Sequence, residues 1–315
     1  MTTAHNQERS AAQTLVTQDN FSLRFWGVRG SYAVSDRDAL RYGGNTSCVE
    51  VVAGKHQIIF DAGTGIIGLG KELIKNNPGP LSLNLFLSHT HHDHLSGFYF
   101  FDPLFDKRNR INIFGPGSGK RSLAETLRMA MEPALFPIGL DALDAKTSIW
   151  SLVGGENIAL RDNRQPPRIT RAVSLRIKDR EQPIISTYGS PAHPNGVILY
   201  RVFFQGKSLV YATDLEETAD GYPDVIEFAR DADVLIHDAQ YLESEYMSTA
   251  NPRRGWGHST VESATEVAKK AGVKRLVLFH HEPTHDDRCI DQILKFARRR
   301  FRRTTVAAEG MVMRL

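Results

Sequence analysis

The amino-acid sequence predicts one mixed α/β domain. Three observations carry that expectation. Short apolar runs with strand character recur along the chain, helical patterns are inserted between them, and no low-complexity linker divides the 315 residues. The composition, 41% hydrophobic and 24% charged, is that of a globular chain long enough for a sizeable core.

Residues 1–20 are rich in Thr, Gln and Ala and read as a flexible tail, which leaves 21–315 for the folded domain. The tail lacks the apolar stretch of a secretory signal, and no later run approaches membrane-spanning length. The cytoplasm is the expected location. Strands are expected at Phe21–Trp26, Cys48–Val52, Gln57–Phe60, Leu81–Leu87, Ile111–Phe114, Val197–Phe204, Ser208–Ala212, Val234–His237 and Arg275–Phe279. Helical patterns fit Ile66–Lys75, Lys120–Met131, Tyr222–Arg230, Thr260–Ala271 and Asp286–Arg303. Ser259 with Glu262 reads as a capping box, and Gly272 closes the same helix. A last strand is expected over Ala307–Leu315. The stretch from Leu104 to Gln182, broken by Pro and Gly, is expected to form a cap or loop over one end of the sheet.

Two glycine motifs mislead. Gly63-Thr64-Gly65-Ile66-Ile67-Gly68 has dinucleotide-fold spacing, but the next strand ends in Ser88-His89 rather than in the acidic residue a ribose needs. Gly115-Pro116-Gly117-Ser118-Gly119-Lys120 looks like a phosphate loop, yet Phe114 holds the first glycine position and Arg121 replaces the magnesium-binding hydroxyl. It reads as a strand-to-helix turn.

The chemistry starts at His89-Thr90-His91-His92-Asp93-His94, directly after an apolar strand. Alternation in an extended segment puts His89 and His91 on one side, where both reach one ion; Asp93 and His94 follow as the chain turns and can hold a second. The two cysteines, Cys48 and Cys289, are too far apart in sequence for a thiolate pair, so the ligands must be imidazole and carboxylate. Further donors stand at later strand ends: His193, Asp214, and His280 beside His281. A net charge of +3 and a pI near 8.8 suit an anionic substrate without demanding nucleic acid.

From Phe21 to Leu315 the chain resembles the metallo-β-lactamase superfamily. The resemblance rests on Phe60-Asp61-Ala62-Gly63-Thr64-Gly65, the string from His89 to Gly97, His193, Asp214 and the strand end at His280. It implies a four-layer αββα sandwich with a dinuclear site at one edge. His89, His91 and His193 would hold the first divalent ion; Asp93, His94 and His280 would hold the second, with Asp214 bridging. Asp61 would tie the His89–His94 loop in place. His280 matches the family's spacing to Pro283 better than His281, and His92 fills a variable position. Zinc is the first expectation, although manganese and iron suit the same donors.

Gly257-His258-Ser259-Thr260 and Leu235-Ile236-His237-Asp238-Ala239 resemble the paired His-Ser-Thr and His-Glu-Ala-Thr elements of ribonuclease Z-like phosphodiesterases. In that branch a carboxylate orients the histidine near the leaving oxygen; here Asp238 stands where Glu is usual, on a shorter arm. Asp93, His258 and Asp238 are therefore the candidate catalytic residues. The expected function is dinuclear hydrolysis of a small or cyclic nucleotide-type phosphodiester, by hydroxide formed on the metals. The alternatives are a thioester or lactone hydrolase, and a ribonuclease acting on RNA ends. A secreted β-lactamase is disfavoured because Asp214 stands where those enzymes usually carry Cys.

Three further readings bear on substrate and partners. Trp26-Gly27-Val28-Arg29-Gly30-Ser31 and Tyr42-Gly43-Gly44-Asn45-Thr46-Ser47 resemble a bacterial subgroup labelled cyclic-nucleotide phosphodiesterase-like. Bacterial ribonuclease Z carries a long arm between the third histidine and the bridging aspartate, and two strands and a tight turn leave no room for one between His193 and Asp214. A small-molecule diester is therefore favoured over nucleic acid. The run Arg298-Arg299-Arg300-Phe301-Arg302-Arg303 reads as a solvated helix end, and a homodimer is common among relatives of this kind.

Overall fold

The computed structural model describes residues 20–161, 165–171, 182–217 and 221–315. All but the last residue of the expected tail lies outside them. The chain runs β1 (Phe21–Gly27), β2 (Cys48–Ala53), β3 (His56–Phe60), α1 (Gly65–Asn76), β4 (Ser82–Phe86), α2 (His92–Leu95) and β5 (Arg110–Pro116). It continues through α3 (Leu123–Ala130), β6 (Lys146–Leu152), β7 (Asn157–Ala159), β8 (Arg168–Thr170), β9 (Ile184–Ser190), β10 (Val197–Phe204), β11 (Lys207–Ala212) and α4 (Pro223–Phe228). It ends with β12 (Val234–Asp238), α5 (Glu243–Tyr246), α6 (Val261–Lys270), β13 (Leu276–Phe279), α7 (Asp287–Arg300), β14 (Thr304–Val306) and β15 (Val312–Arg314).

The strands form two sheets, ordered β15-β1-β2-β3-β4-β5-β6 and β14-β13-β12-β11-β10-β9-β7-β8. Alternation in β1, buried at Phe21, Leu23 and Phe25, turns one face toward the second sheet. Between the sheets Phe60 stacks on Tyr211 with ring centres 5.0 Å apart, and Tyr200, Ile236 and Phe279 fill the same layer. On the outer face of the first sheet, α1 and α3 bury Ile66, Leu69, Leu73, Leu123 and Leu127 against Leu83 and Leu85. On the outer face of the second, α4, α6 and α7 bury Val225, Ala264, Val267, Ile290 and Ile293 against Leu235 and Leu276. This is the αββα sandwich the resemblance implied. No helix among the described residues is long and apolar enough to cross a membrane.

Topology places the chemistry. β3 and β4 are parallel, as are β11, β12 and β13, so their C-terminal ends share one edge of the sandwich. β10 runs antiparallel to β11, which brings the loop before β10, with His193, to that edge as well. Ligand sites in open α/β sheets collect at such carboxyl ends.

Three expectations are corrected. Ala307–Leu315 is not one strand: β14 ends at Val306 in the second sheet, Gly310 turns the chain at φ 79°, and β15 pairs with β1 in the first. The described residues of 104–182 are not simply a loop or cap, because β5 and β6 extend the first sheet and β7 and β8 the second; residues 162–164 and 172–181 lie outside the described residues. The cap of α6 is Thr260, whose hydroxyl accepts from Ser263 N, since the Ser259 hydroxyl is taken up by Leu215 O and Tyr222. The turn after β5 is built as expected, closed by mutual Ser118 and Arg121 backbone bonds, and α3 starts at Leu123 behind a Ser122–Glu125 capping box.

Candidate metal centre

The histidine string runs from the loop after β4 into α2. His89 and His91 lie in extended chain, His92 points to solvent, and Asp93 and His94 turn inward on the first helical residues. Gly63 and Gly97 allow this packing: a Cβ on Gly97 would sit 2.1 Å from Gly63 O, and one on Gly63 2.3 Å from Asp93 O. Gly63, the first glycine of the sequence that imitates a nucleotide fingerprint, thus serves close backbone approach beneath the site.

The nominated ligands form two donor sets, and a third, overlapping group joins Asp214 and His280 to Asp238 and His258. His89, His91 and His193 converge in one, and Asp93, His94, Asp214 and His280 in the other, with ligand atoms in each set within 4.8 Å of one another. Asp214 stands between them. One of its oxygens lies 3.6 Å from His89 Nε2 and 3.9 Å from His193 Nε2; the other lies 3.2 Å from His94 Nε2 and 3.3 Å from His280 Nε2. All seven residues that the resemblance nominated are brought together. His281 is not among them: it turns away to Ala307 O at 2.9 Å, and burial drives its pKa down to about 3.

The outward nitrogens fix the tautomers. Asp61 is fully buried and receives Ser88 N, Ser88 Oγ, Tyr211 Oη and His94 Nδ1 at 2.7–2.8 Å. With its own proton given to Asp61, Ser88 Oγ accepts from His89 Nδ1 at 3.1 Å. His193 Nδ1 donates to Gly257 O at 2.9 Å and His280 Nδ1 to Gln240 Oε1 at 3.0 Å. The Gln240 amide is oriented by its Nε2, which donates to Glu282 at 2.7 Å. Each of these four Nδ1 contacts leaves Nε2 turned inward; at His94 burial disfavours the charged form, but Asp214, Asp93 and Asp61 raise its pKa well above the ordinary value.

These inward nitrogens crowd one another and the carboxylates: His193 Nε2 lies 3.0 Å from His91 Nδ1, and His280 Nε2 lies 3.1 Å from Asp93. His94 Nε2 and His280 Nε2 face each other at 3.1 Å, and His89 Nε2 is buried without a hydrogen-bond partner. Burial holds the pKa values of His89, His193 and His91 below the ordinary value, which favours the neutral form a metal binds. A cluster of converging imidazole nitrogens beside two carboxylates, with the buried His89 Nε2 unpartnered, fits divalent cations.

The backbone is strained at the same edge. Asp61, Asp214 and His280 adopt φ of 60°, 56° and 62°, and Ser31, whose N–H donates to Asp93 at 2.8 Å, adopts 59°. Left-handed non-glycine residues cost ~1–3 kcal/mol each and cluster at functional sites.

The second pair of sequence elements meets beside Asp214. Asp238 ends β12, and its carboxylate lies 3.0 Å from His258 Nδ1, so the shorter arm reaches. Burial disfavours the imidazolium, but Asp238, with smaller contributions from Asp214 and Asp93, raises the His258 pKa to about 9. Asp238 also accepts from Gln240 N at 3.0 Å.

Sequence reasoning missed Gln240 and Glu216, and it quoted Gly257 beside His258 without giving it a role. Neither Gln240 nor Glu216 belongs to a spacing motif. Glu216, two residues past Asp214, holds the loop before His258 by accepting from Gly255 N and Gly257 N at 2.6 and 2.9 Å. Gly257 has φ 88°, and a Cβ there would lie 2.1 Å from His193 Nδ1. Gly257→Ala is therefore expected to displace His193 and to lower metal content to about half, with the fold intact by circular dichroism. Wild-type metal content by atomic emission would refute this.

Relatives share this architecture. Ribonuclease Z of Myxococcus xanthus is 27% identical over 267 residues, covering 77% of this chain and 83% of its own. Ribonuclease Z of Archaeoglobus fulgidus is 25% identical over 328 residues, covering 92% and 96%. Among solved structures, the metallo-beta-lactamase fold protein YhfI of Bacillus subtilis has a TM-score of 0.61 at 16% identity, covering 93% of this chain and 98% of its own. The short form of human tRNase Z has a TM-score of 0.59 at 19% identity, with the same coverage. A new diphosphatase from the PhnP family has 0.60 at 14%, covering 94% and 98%. The beta-lactamase superfamily domain matches residues 56–281, and with the sandwich and the His/Asp clusters at its edge this makes the chain a member of that superfamily, a metal-dependent hydrolase.

Proposed function

We propose that this hydrolase is a phosphodiesterase acting on RNA, with His258 as its general acid. The ribonuclease Z relatives support RNA over the cyclic or small diester favoured by the sequence reading. The observation that carries the reaction class is the His258–Asp238 pair beside Asp214, because a thioester or lactone hydrolase needs no second acid there. His89, His91 and His193 would hold one ion, and Asp93, His94 and His280 another, with Asp214 shared; zinc is the first choice.

When bound, such ions supply positive charge against the phosphoryl oxygens and acidity to a water. The chain's own residues do the rest. Asp238 accepts the Nδ1 proton of His258, which leaves Nε2–H of the imidazolium free to protonate the departing ribose oxygen. Asp61 and Gln240 keep His94 and His280 in the tautomer that turns Nε2 inward.

A second reading rests on the hairpin from His193 to Asp214. β10 and β11 are joined by a turn at Gln205 and Gly206, so nothing protrudes there to hold a large RNA body. That favours short or unstructured substrates. The zinc- and manganese-loaded protein should cleave RNA carrying a single-stranded 3′ extension faster than a cyclic nucleotide or a thioester. Faster cleavage of the cyclic nucleotide would restore the small-diester reading, and faster thioester cleavage would overturn the reaction class.

A further inference from the structure

We propose that Trp256, with Arg253 and Arg254, forms a nucleobase-stacking subsite beside His258 for the single-stranded part of an RNA substrate. The proposal deepens the RNA reading above and rests on it.

Trp256 is 53% exposed, on the loop that leads into His258. An indole presented to water at a site's rim forgoes hydrophobic burial that a core position would supply. The loop is not loose. Trp256 N donates to Arg253 O at 3.2 Å, and Glu216 clamps the glycines on either side of Trp256. The segment after the strand end that carries Asp214 thereby also holds the backbone that presents the indole, and a loop already ordered pays less when a ring stacks on it.

A continuous set of contacts joins the platform to the proposed acid. The Arg253 guanidinium lies 4.7 Å from the Trp256 ring centre and 5.6 Å from that of Tyr241. Tyr241 is buried, and its ring meets that of His258 edge-on at 6.1 Å. On the adjoining side Arg254 lies over Tyr246 at 5.8 Å, and Tyr246 in turn donates its hydroxyl to Glu216. Among the described residues neither arginine forms a salt bridge with a carboxylate, so both charges remain available. An exposed aromatic ring with one guanidinium against it and a second over a nearby tyrosine is a pattern that suits single-stranded nucleic acid: the ring takes a base and the cations take the neighbouring phosphates. A base seated on Trp256 would belong to a nucleotide flanking the phosphate addressed by His258.

The test compares two ligands on the full-length, zinc-loaded chain: a cleavage-resistant phosphorothioate decauridine, and an abasic strand of the same length and charge. Wild type should bind the decauridine roughly tenfold more tightly. Trp256→Ala should abolish that preference, Trp256→Phe should keep most of it, and Arg253→Ala should weaken both ligands and flatten the salt dependence. Circular dichroism and metal content check that each variant is folded. A decauridine preference that persists in Trp256→Ala, or that is absent from wild type, overturns the subsite. Wild-type cleavage of unmodified RNA, measured in parallel, separates the readings: if it persists, the RNA phosphodiesterase reading stands without this subsite, and if it is absent, both fall.

Discussion

Asp214→Ala is expected to strip the protein of most of its metal and to abolish measurable hydrolysis. One carboxylate reaches nitrogens of both donor sets at 3.2–3.9 Å, so its loss removes the shared anion from two sites at once. Outer partners of metal ligands are worth about 10–100-fold in affinity, and a direct donor common to both sets should exceed that. Alanine at φ 56° adds backbone strain of its own. Asp214→Asn separates the two effects, because asparagine tolerates the left-handed region and removes only the charge. Both variants should lose metal in equilibrium dialysis. Wild-type stoichiometry with intact turnover in Asp214→Asn would remove Asp214 from the centre.

His258→Ala should behave differently, keeping its metal and losing rate. A positioned general acid contributes about 10²–10⁴-fold, so turnover on RNA should fall within that range. The deficit should depend on the leaving group. A departing ribose alkoxide needs a proton, whereas p-nitrophenolate is stable without one, so bis(p-nitrophenyl) phosphate should lose far less. Asp238→Asn should reproduce the pattern more mildly by withdrawing the charge that keeps His258 protonated. An equal loss on both substrates would assign His258 to the fold around Asp214 rather than to proton transfer.

Much of this centre was legible because its signals are local. The donors of the histidine string lie within six residues, and the β10–β11 hairpin carries its turn chemistry in Gln205 and Gly206. His280 could be preferred to His281 on spacing, and the two rings do point in opposite directions. What failed depends on distant partners. β7 and β8 have three residues each and acquire strand geometry only by pairing beside β9. The split of Ala307–Leu315 between two sheets is decided by which edges are open. Ser259 looks like a cap until the carbonyl of Leu215 is brought against it. Gln240 and Glu216 act through hydrogen bonds to partners distant in sequence, for which no spacing exists.

The two donor sets also straddle the seam of the sandwich. His89, His91, Asp93 and His94 leave the first sheet, while His193, Asp214 and His280 leave the second. Any ion held by both sides rivets one sheet to the other, and each ion bound at a hundred times its dissociation constant would add about 2.7 kcal/mol to the free energy of unfolding. Metal supply would then govern how long the chain survives proteolysis as well as how fast it turns over, and scarcity would be read first as falling abundance.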